Sequence, residues 1–138
     1  MNNIINLTIS GQPIAKQRSR KGAHGNWYNP QEDIMFQIEK EIKKQLPENW
    51  EIIKSDIPVT VNMSWFIAPA KTKATKKFID FIKNEDIIHT QKPDRDNLDK
   101  FYLDCMSGIV FHDDCQCGAG ELIKIWSVNP RTEIEVIY

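Results

Sequence analysis

The 138-residue chain contains no stretch approaching the ~20 consecutive apolar residues that a helix needs to cross a bilayer. No helical membrane span is expected. The opening residues, MNNIINLTIS, offer neither a basic segment nor a continuous apolar one, so no secretory signal is expected and the cytoplasm is the expected compartment. Cysteine is scarce, and Cys105, Cys115 and Cys117 form an odd set without the spacing of a disulfide framework. In a reducing compartment they are expected as free thiols. Net charge is only −1, so the chain lacks the basic excess that marks many polyanion binders. Repeats, linkers and low-complexity tracts are also missing, and the length fits one domain, residues 1–138. With 41% apolar and 27% charged residues, the composition is that of a globular domain with a real core.

Charge is small in sum but uneven in place. Lys16, Arg18, Arg20 and Lys21 form one basic run, and Lys71, Lys73, Lys76 and Lys77 form a second. Acidic residues gather between Asp94 and Asp104 and at Asp113 and Asp114. A split field of this kind would bring a polyanion to an acidic, cation-loaded pocket, with Lys16, Arg18, Arg20, Lys71, Lys73 and Lys76 as expected phosphate contacts. Solvated surface is the plainer account of the same runs.

Residues 4–10 alternate, Ile5, Leu7 and Ile9 against Asn6, Thr8 and Ser10, which predicts a half-buried strand ended by Gly11 and Pro13. The polar stretch to Asn29 reads as loop. It carries Trp27 and Tyr28, expected either to pack locally or to stack on bases. Pro30 suits a first helical turn with Asn29 as a cap, and Ile34, Ile38 and Ile42 at i, i+4, i+8 predict a helix over 31–46. Val59, Val61, Met63, Trp65 and Ile67 alternate as a strand closed by Pro69, with Trp65 expected in the core. A short helix follows over 75–83, then loop or short strand over 89–93. Leu98, Phe101, Tyr102, Leu103 and Met106 recur at helical spacing, with Gly108 placed as a stop. Two final strands, near 121–128 and 132–138, are expected to form a hairpin. The order β-α-β-α-α-β-β predicts an α+β (mixed α/β) domain, a mixed sheet of about four strands packed against two to three helices.

The chemistry concentrates in HTQKPDRDNLDK, residues 89–100. Pro93 keeps the residue before it out of the helical region, and an extended chain would point Asp94 and Asp96 to the same side. Two converging carboxylates leave several oxygen lone pairs with few donors, which suits a hard divalent cation, Mg²⁺ or Mn²⁺. Lys100, at i+4 from Asp96, lies on the same helical face and would steady a carboxylate or reach a phosphate. Asp104, a further i+4, is expected to pair with Lys100. Asn97 and Asp99 are expected to serve the first turn. A third carboxylate comes from Asp113 or Asp114, which face opposite ways in an extended segment, and spacing alone does not choose between them. An Asp-X-Asp-Asn ahead of an apolar helix is also what a capping turn looks like. The lysine at i+4 and the later Asp pair together favour metal.

These residues resemble the RusA-like Holliday junction resolvases, a family common in bacterial prophages. GQPIAKQRSR at 11–20 is similar to its G-x-P-x-x-K-x-R-x-R, followed here by Tyr28-Asn29-Pro30. KPDRDNLDK at 92–100 is similar to its K-P-D-x-D-N-L-x-K, and Asp104, Gly108 and DDCQ at 113–116 to the D…G…D-D-x-Q that follows. Where many members continue with an aliphatic residue, Cys117 stands here. The resemblance implies a Mg²⁺-dependent, homodimeric endonuclease that makes paired symmetric nicks in four-way DNA junctions during recombination and repair. By position, Asp94, Asp96 and Asp114 match the family's catalytic carboxylates and Lys100 its essential lysine, which leaves Asp113, Asn97 and Asp104 in support.

The rival reading is a non-catalytic or zinc-stabilised module that binds branched nucleic acid. It would draw on His112, Cys115 and Cys117, with Cys105, His89 and His24 in reserve. Cys-X-Cys with one nearby histidine does not match the paired spacing of common zinc sites.

Overall fold

A computed structural model describes residues 2–138. The alternation at the start makes strand β1, Ile4–Ser10, with Ile5, Leu7 and Ile9 buried and the intervening residues exposed. Strands β2, Arg20–Lys21, and β3, Trp27–Tyr28, form a small antiparallel ladder inside the stretch expected to be loop. Helix α1 spans Glu32–Gln45 and buries Ile38 and Ile42. Its acidic first turn and basic last turn suit the helix dipole. Asn29 is not its cap. The Asn29 Oδ1 accepts from the Gln31 N–H at 2.9 Å, and Gln31 takes the N-cap position without a side-chain cap bond.

Strand β4, Val59–Ile67, places Val59, Val61, Met63, Trp65 and Ile67 in the core. Helix α2, Lys76–Ile82, is capped by Thr75, whose Oγ1 accepts from the Phe78 N–H at 3.2 Å. Helix α3, Arg95–Met106, stops as its sequence predicts: Ser107 is the C-cap and Gly108 turns away at φ +80°, a conformation glycine adopts without penalty. The chain ends in β5, Cys117–Ala119, β6, Leu122–Trp126, and β7, Arg131–Ile137.

The main sheet has five strands in the order β1-β7-β4-β5, with β6 also on β4. Helices α1 and α3 cover one face, where their apolar residues meet those of β1, β4 and β7. The other face carries Asn6, Thr8, Asn62, Ser64, Glu133 and Glu135. Trp65, Phe101, Tyr102 and Phe111 are the largest fully buried side chains, each stabilising the fold by about 1.5–3 kcal/mol. This is the expected α+β architecture, with five strands rather than about four and three helices.

The final hairpin does not form. β6 runs parallel to β4, β7 runs antiparallel to it, and β4 lies between them. Four connecting residues, 127–130, step around the end of β4, where the Ser127 N–H donates to the Ile67 carbonyl at 3.0 Å. Such a link easily spans two strand spacings of about 4.8 Å. It lets the long apolar β4 pair along both edges. Gly120 permits the close seat of β5 and β6, since a Cβ there would overlap the Val61 carbonyl oxygen.

Candidate active site

Helix α3 joins the core to the polar motif. Leu98, Phe101, Tyr102, Cys105 and Met106 face inward, which leaves Asp94, Asp96 and Lys100 exposed around its N-terminal half. Asp94 is the N-cap residue, with the extended backbone of one (φ −70°, ψ 144°). Its carboxylate makes no cap bond. Instead Oδ1 accepts from Lys92 Nζ at 2.9 Å. The helix already begins at Arg95, so Asp96 stands in the first turn and not on an extended chain. The two carboxylates therefore share the positive end of a helix dipole, which favours anions there.

Asp104 does not pair with Lys100. Its Oδ2 lies 2.8 Å from Nζ of Lys16, which reaches across from the segment after β1. That segment is tied to α3 along its length: the Ile14 N–H donates to the Tyr102 hydroxyl at 3.0 Å, and the Lys16 N–H donates to the Asn97 carbonyl at 2.8 Å.

Asp113 and Asp114 sit at a short 3₁₀ turn, Asp114–Gln116. Asp113 caps it, its Oδ1 accepting from the Cys115 N–H at 3.4 Å. The Gln116 side chain fixes the turn from three sides. Its Oε1 accepts from the Asp113 N–H at 3.0 Å, while its Nε2 donates to the carbonyls of Lys54 and Ile57 at 2.8 and 2.9 Å. Asp113 is thus committed to its own turn, and Asp114 is the carboxylate left over.

The neighbouring Asp114 side chain first, and the Cys115 N–H next, hold Asp113 below the usual carboxylate range. The Asp113 side chain in turn pushes Asp114 above it, with burial and the charges of Asp113, Asp104 and Asp99 adding to the effect. Asp99 is raised as well, chiefly by burial, with Asp96 adding and Arg95 opposing. It lines a hollow of about 240 Å³ with Val61, Leu103, Cys117 and Leu122. Asp99 is the member of this cluster that spacing alone assigns to the first turn of the helix. Its i+3 separation from Asp96 is the signal that points to the cluster instead. The fold thus brings carboxylates from α3 and from the 113–114 turn into one electrostatic neighbourhood. Among the described residues, no three Asp, Glu, His or Cys side chains converge closely enough to enclose an ion.

Among the described residues, the cysteines and histidines form no group of three that could hold a metal ion. Cys105 is fully buried in the core, Cys115 is exposed and Cys117 lies between these extremes. Burial first, and nearby carboxylates next, push both Cys105 and Cys117 up to about 12, so both stay protonated and are poor thiolate ligands.

Of the expected phosphate contacts, the side chains of Arg18, Lys71, Lys73 and Lys76 have no ion-pair or hydrogen-bond partner among the described residues, and the Arg20 guanidinium meets only Gln17 Oε1 at 3.2 Å. A family model, that of the endodeoxyribonuclease RusA, matches residues 10–137, and the chain belongs to that family. It is accordingly an endodeoxyribonuclease of the Holliday junction resolvase class, whose substrate is branched DNA and whose nucleases generally depend on a divalent metal. A search of curated proteins finds no match to this chain. No helix of the described residues is long and apolar enough to cross a membrane.

Proposed function

We propose that this protein resolves four-way DNA junctions in recombination and repair by Mg²⁺-dependent hydrolysis, as a homodimer making paired symmetric nicks. The observation that carries the reading is the crowding of Asp96, Asp99 and Asp114. Asp99 is held above the usual carboxylate range first by burial, with the Asp96 charge adding. Asp114 is raised first by Asp113, with the Asp99 charge adding. None of the three has an ion-pair partner among the described residues. Like charges held together without a counter-ion favour a cation from solution. The donors are carboxylate oxygens and the nearby thiols stay protonated, so the set fits a hard ion, Mg²⁺ with Mn²⁺ as substitute, and not zinc.

Asp94, Asp96 and Asp114 would hold the metal, with Asp99 behind them. When bound, the metal supplies an acidified water and positive charge at the phosphate oxygens. The chain's own groups do the rest. Lys100 stands one turn from Asp96 as a point cation for the scissile phosphate or for orienting a carboxylate. Asp113 and Gln116 keep Asp114 in place, and Asp104 holds the Lys16 segment against α3. The flanking lysines and arginines anchor phosphates away from the acidic cluster. Two sites related by a two-fold axis account for two cuts across one branch point.

The test compares the unmodified protein with Asp96→Asn on labelled four-way, forked and linear substrates with Mg²⁺. Junction cleavage should fall by at least about 100-fold in the variant, while junction binding without metal persists. If the unmodified protein cuts nothing, the enzymatic reading is wrong. Equal cutting by the variant would remove Asp96 from the site and leave nuclease activity standing.

A further inference from the structure

The stretch from Gln17 to Asn29, expected as loop, is a finger with a stem and a tip, closed at its base by Gln31. At the base, Gln31 is only 5% exposed and its amide closes the loop: Oε1 accepts from the Gln17 N–H and Nε2 donates to the Ala15 carbonyl, both at 2.8 Å. The adjoining Lys16 backbone is bonded to Asn97 of α3, so the finger is rooted on the helix that carries Asp94 and Asp96. The stem pairs Arg20 with Tyr28 and Lys21 with Trp27. At the tip the Gly22 N–H donates to the Asn26 carbonyl at 2.6 Å, and Gly25 turns at φ +83°.

A ladder of two residues per strand is far too short to be stable alone, so its order comes from the base. Yet its aromatic side chains contribute nothing to the core. Trp27 is 71% exposed and Tyr28 48% exposed. Around them, Arg18 and Lys21 have no ion-pair partner among the described residues. Exposed aromatics interleaved with uncommitted cations on a rooted projection fit a polyanion that offers open base faces.

We propose that this finger reads the branch point of the DNA: the Trp27 indole stacks on a base unstacked there, and Arg18, Arg20 and Lys21 hold the flanking phosphates. The assignment rests on the junction substrate proposed above. Within a duplex each base is covered on both faces by its neighbours, so an indole gains nothing there without first unstacking them. At a branch point that cost is already met. Trp27 therefore favours junction over duplex, whereas lysines alone bind both.

The experiment measures binding in EDTA, so that nothing is cut, using four-way junctions and linear duplexes that carry 2-aminopurine at the branch point or within an arm. For the unmodified protein, emission should change at the branch point and not in the arm. Trp27→Ala should abolish that change and weaken junction binding about tenfold or more, leaving duplex binding within about twofold. Trp27→Phe should restore part of both. Thermal unfolding of each variant should match the unmodified protein, because Trp27 packs against no core residue. An unaltered preference for junction over duplex in Trp27→Ala overturns the proposal. So does a changed oligomeric state with equal losses on both substrates, which would seat Trp27 against a second copy of the chain. If the unmodified protein shows no junction preference or cleavage at all, it is the junction reading itself that fails.

Discussion

Residues 16–21 and 71–77 each carry four cations, and their sequences promise the same thing, yet the fold gives them different holds on the molecule. The first run is tied through its own backbone and through Gln31 to α3 and α1, and then rises into the finger. The second lies on a 3₁₀ turn, Lys71–Lys73, and on the first turn of α2, with no side-chain partner among the described residues. Lys76 and Lys77 even occupy a helix N-terminus, where the dipole disfavours cations. A cation whose backbone is fixed relative to the carboxylates can set where a phosphate sits. One on an independent surface element can attract DNA without orienting it. The first run should therefore govern register and structure preference, and the second affinity and its salt dependence.

The largest expected effect comes from cutting the tie itself. Gln31→Leu keeps the volume of a buried side chain but leaves the Gln17 N–H and the Ala15 carbonyl without partners. Each such group costs about 1–3 kcal/mol, so the midpoint of thermal unfolding should fall by several degrees. The finger should also become the first site of tryptic cleavage, at Arg18, Arg20 or Lys21. Lys73→Gln, its counterpart in the other run, should change neither readout. An unchanged digestion pattern in Gln31→Leu would show that the finger is held by something else, and the contrast between the runs would lose its basis.

A pH titration sharpens the same contrast, because the second region backs onto a buried histidine. Ala70 and Lys73 share a hollow of about 240 Å³ with Lys92, Trp126 and His89. His89 is 5% exposed, its Nδ1 has no partner and its ring lies against Trp126, tilted by 52° with the centroids 4.2 Å apart. Burial first, and Lys124 next, draw its pKa from 6.5 down to about 4. The unfolded chain then binds the proton more readily than the folded one. This contribution to stability is complete above about pH 6.5 and is lost as pH falls from 6.5 towards 4. His89→Gln should lower stability at neutral pH yet show a shallower decline across that window. Parallel curves for the two proteins would show that His89 does not titrate with unfolding.

Much of this architecture can be read from the chain, and the exceptions share a cause. β1, β4, α1 and α3 each bury one face, so period 2 or 3.6 is written into their apolar residues. The finger has no such period, and its order depends on one amide, Gln31, whose bonds reach back 14 and 16 positions. The failed hairpin is of the same kind, since alternation says which residues are buried but not which strand lies alongside. At the site, the motif singles out Asp94 and Asp96, but the extended chain read from Pro93 is not there, because the helix already begins at Arg95. What sets Asp114 apart from Asp113 is not visible in the spacing, because Asp113 is engaged by a Cys115 N–H and a Gln116 amide that in turn grips Lys54 and Ile57. Asp99 is hidden by a local explanation that suffices until the 113–114 turn is folded against it.

A smaller effect tests the second run directly. Replacing Lys71, Lys73 and Lys76 together by Gln should flatten the dependence of log K on log salt by about 0.9 for each phosphate that no longer meets a cation. Junction and duplex should suffer alike, and the thermal midpoint should stay within about a degree. Arg18→Gln with Arg20→Gln should instead weaken the junction more than the duplex. Identical behaviour of the two sets would erase the distinction between orienting and attracting cations.

The smallest effect lies inside the first run. Lys16 is expected from its place in that run to touch phosphate, but its ammonium sits 2.8 Å from Asp104, with the two side chains 30% and 36% exposed. Pairs this open couple by about 0.2–1 kcal/mol and weaken with salt, so a Lys16→Gln and Asp104→Asn double-mutant cycle in thermal stability should return no more than that. The sharper measurement is DNA affinity. A lysine already engaged by a carboxylate must give up that pair to meet a phosphate, and the exchange of one anion for another gains little. Lys16→Gln should then weaken junction binding clearly less than Arg20→Gln does. An equal loss would mean that the Lys16–Asp104 pair opens when DNA arrives, releasing Asp104 next to Asp114 at the moment the acidic cluster is meant to gather positive charge.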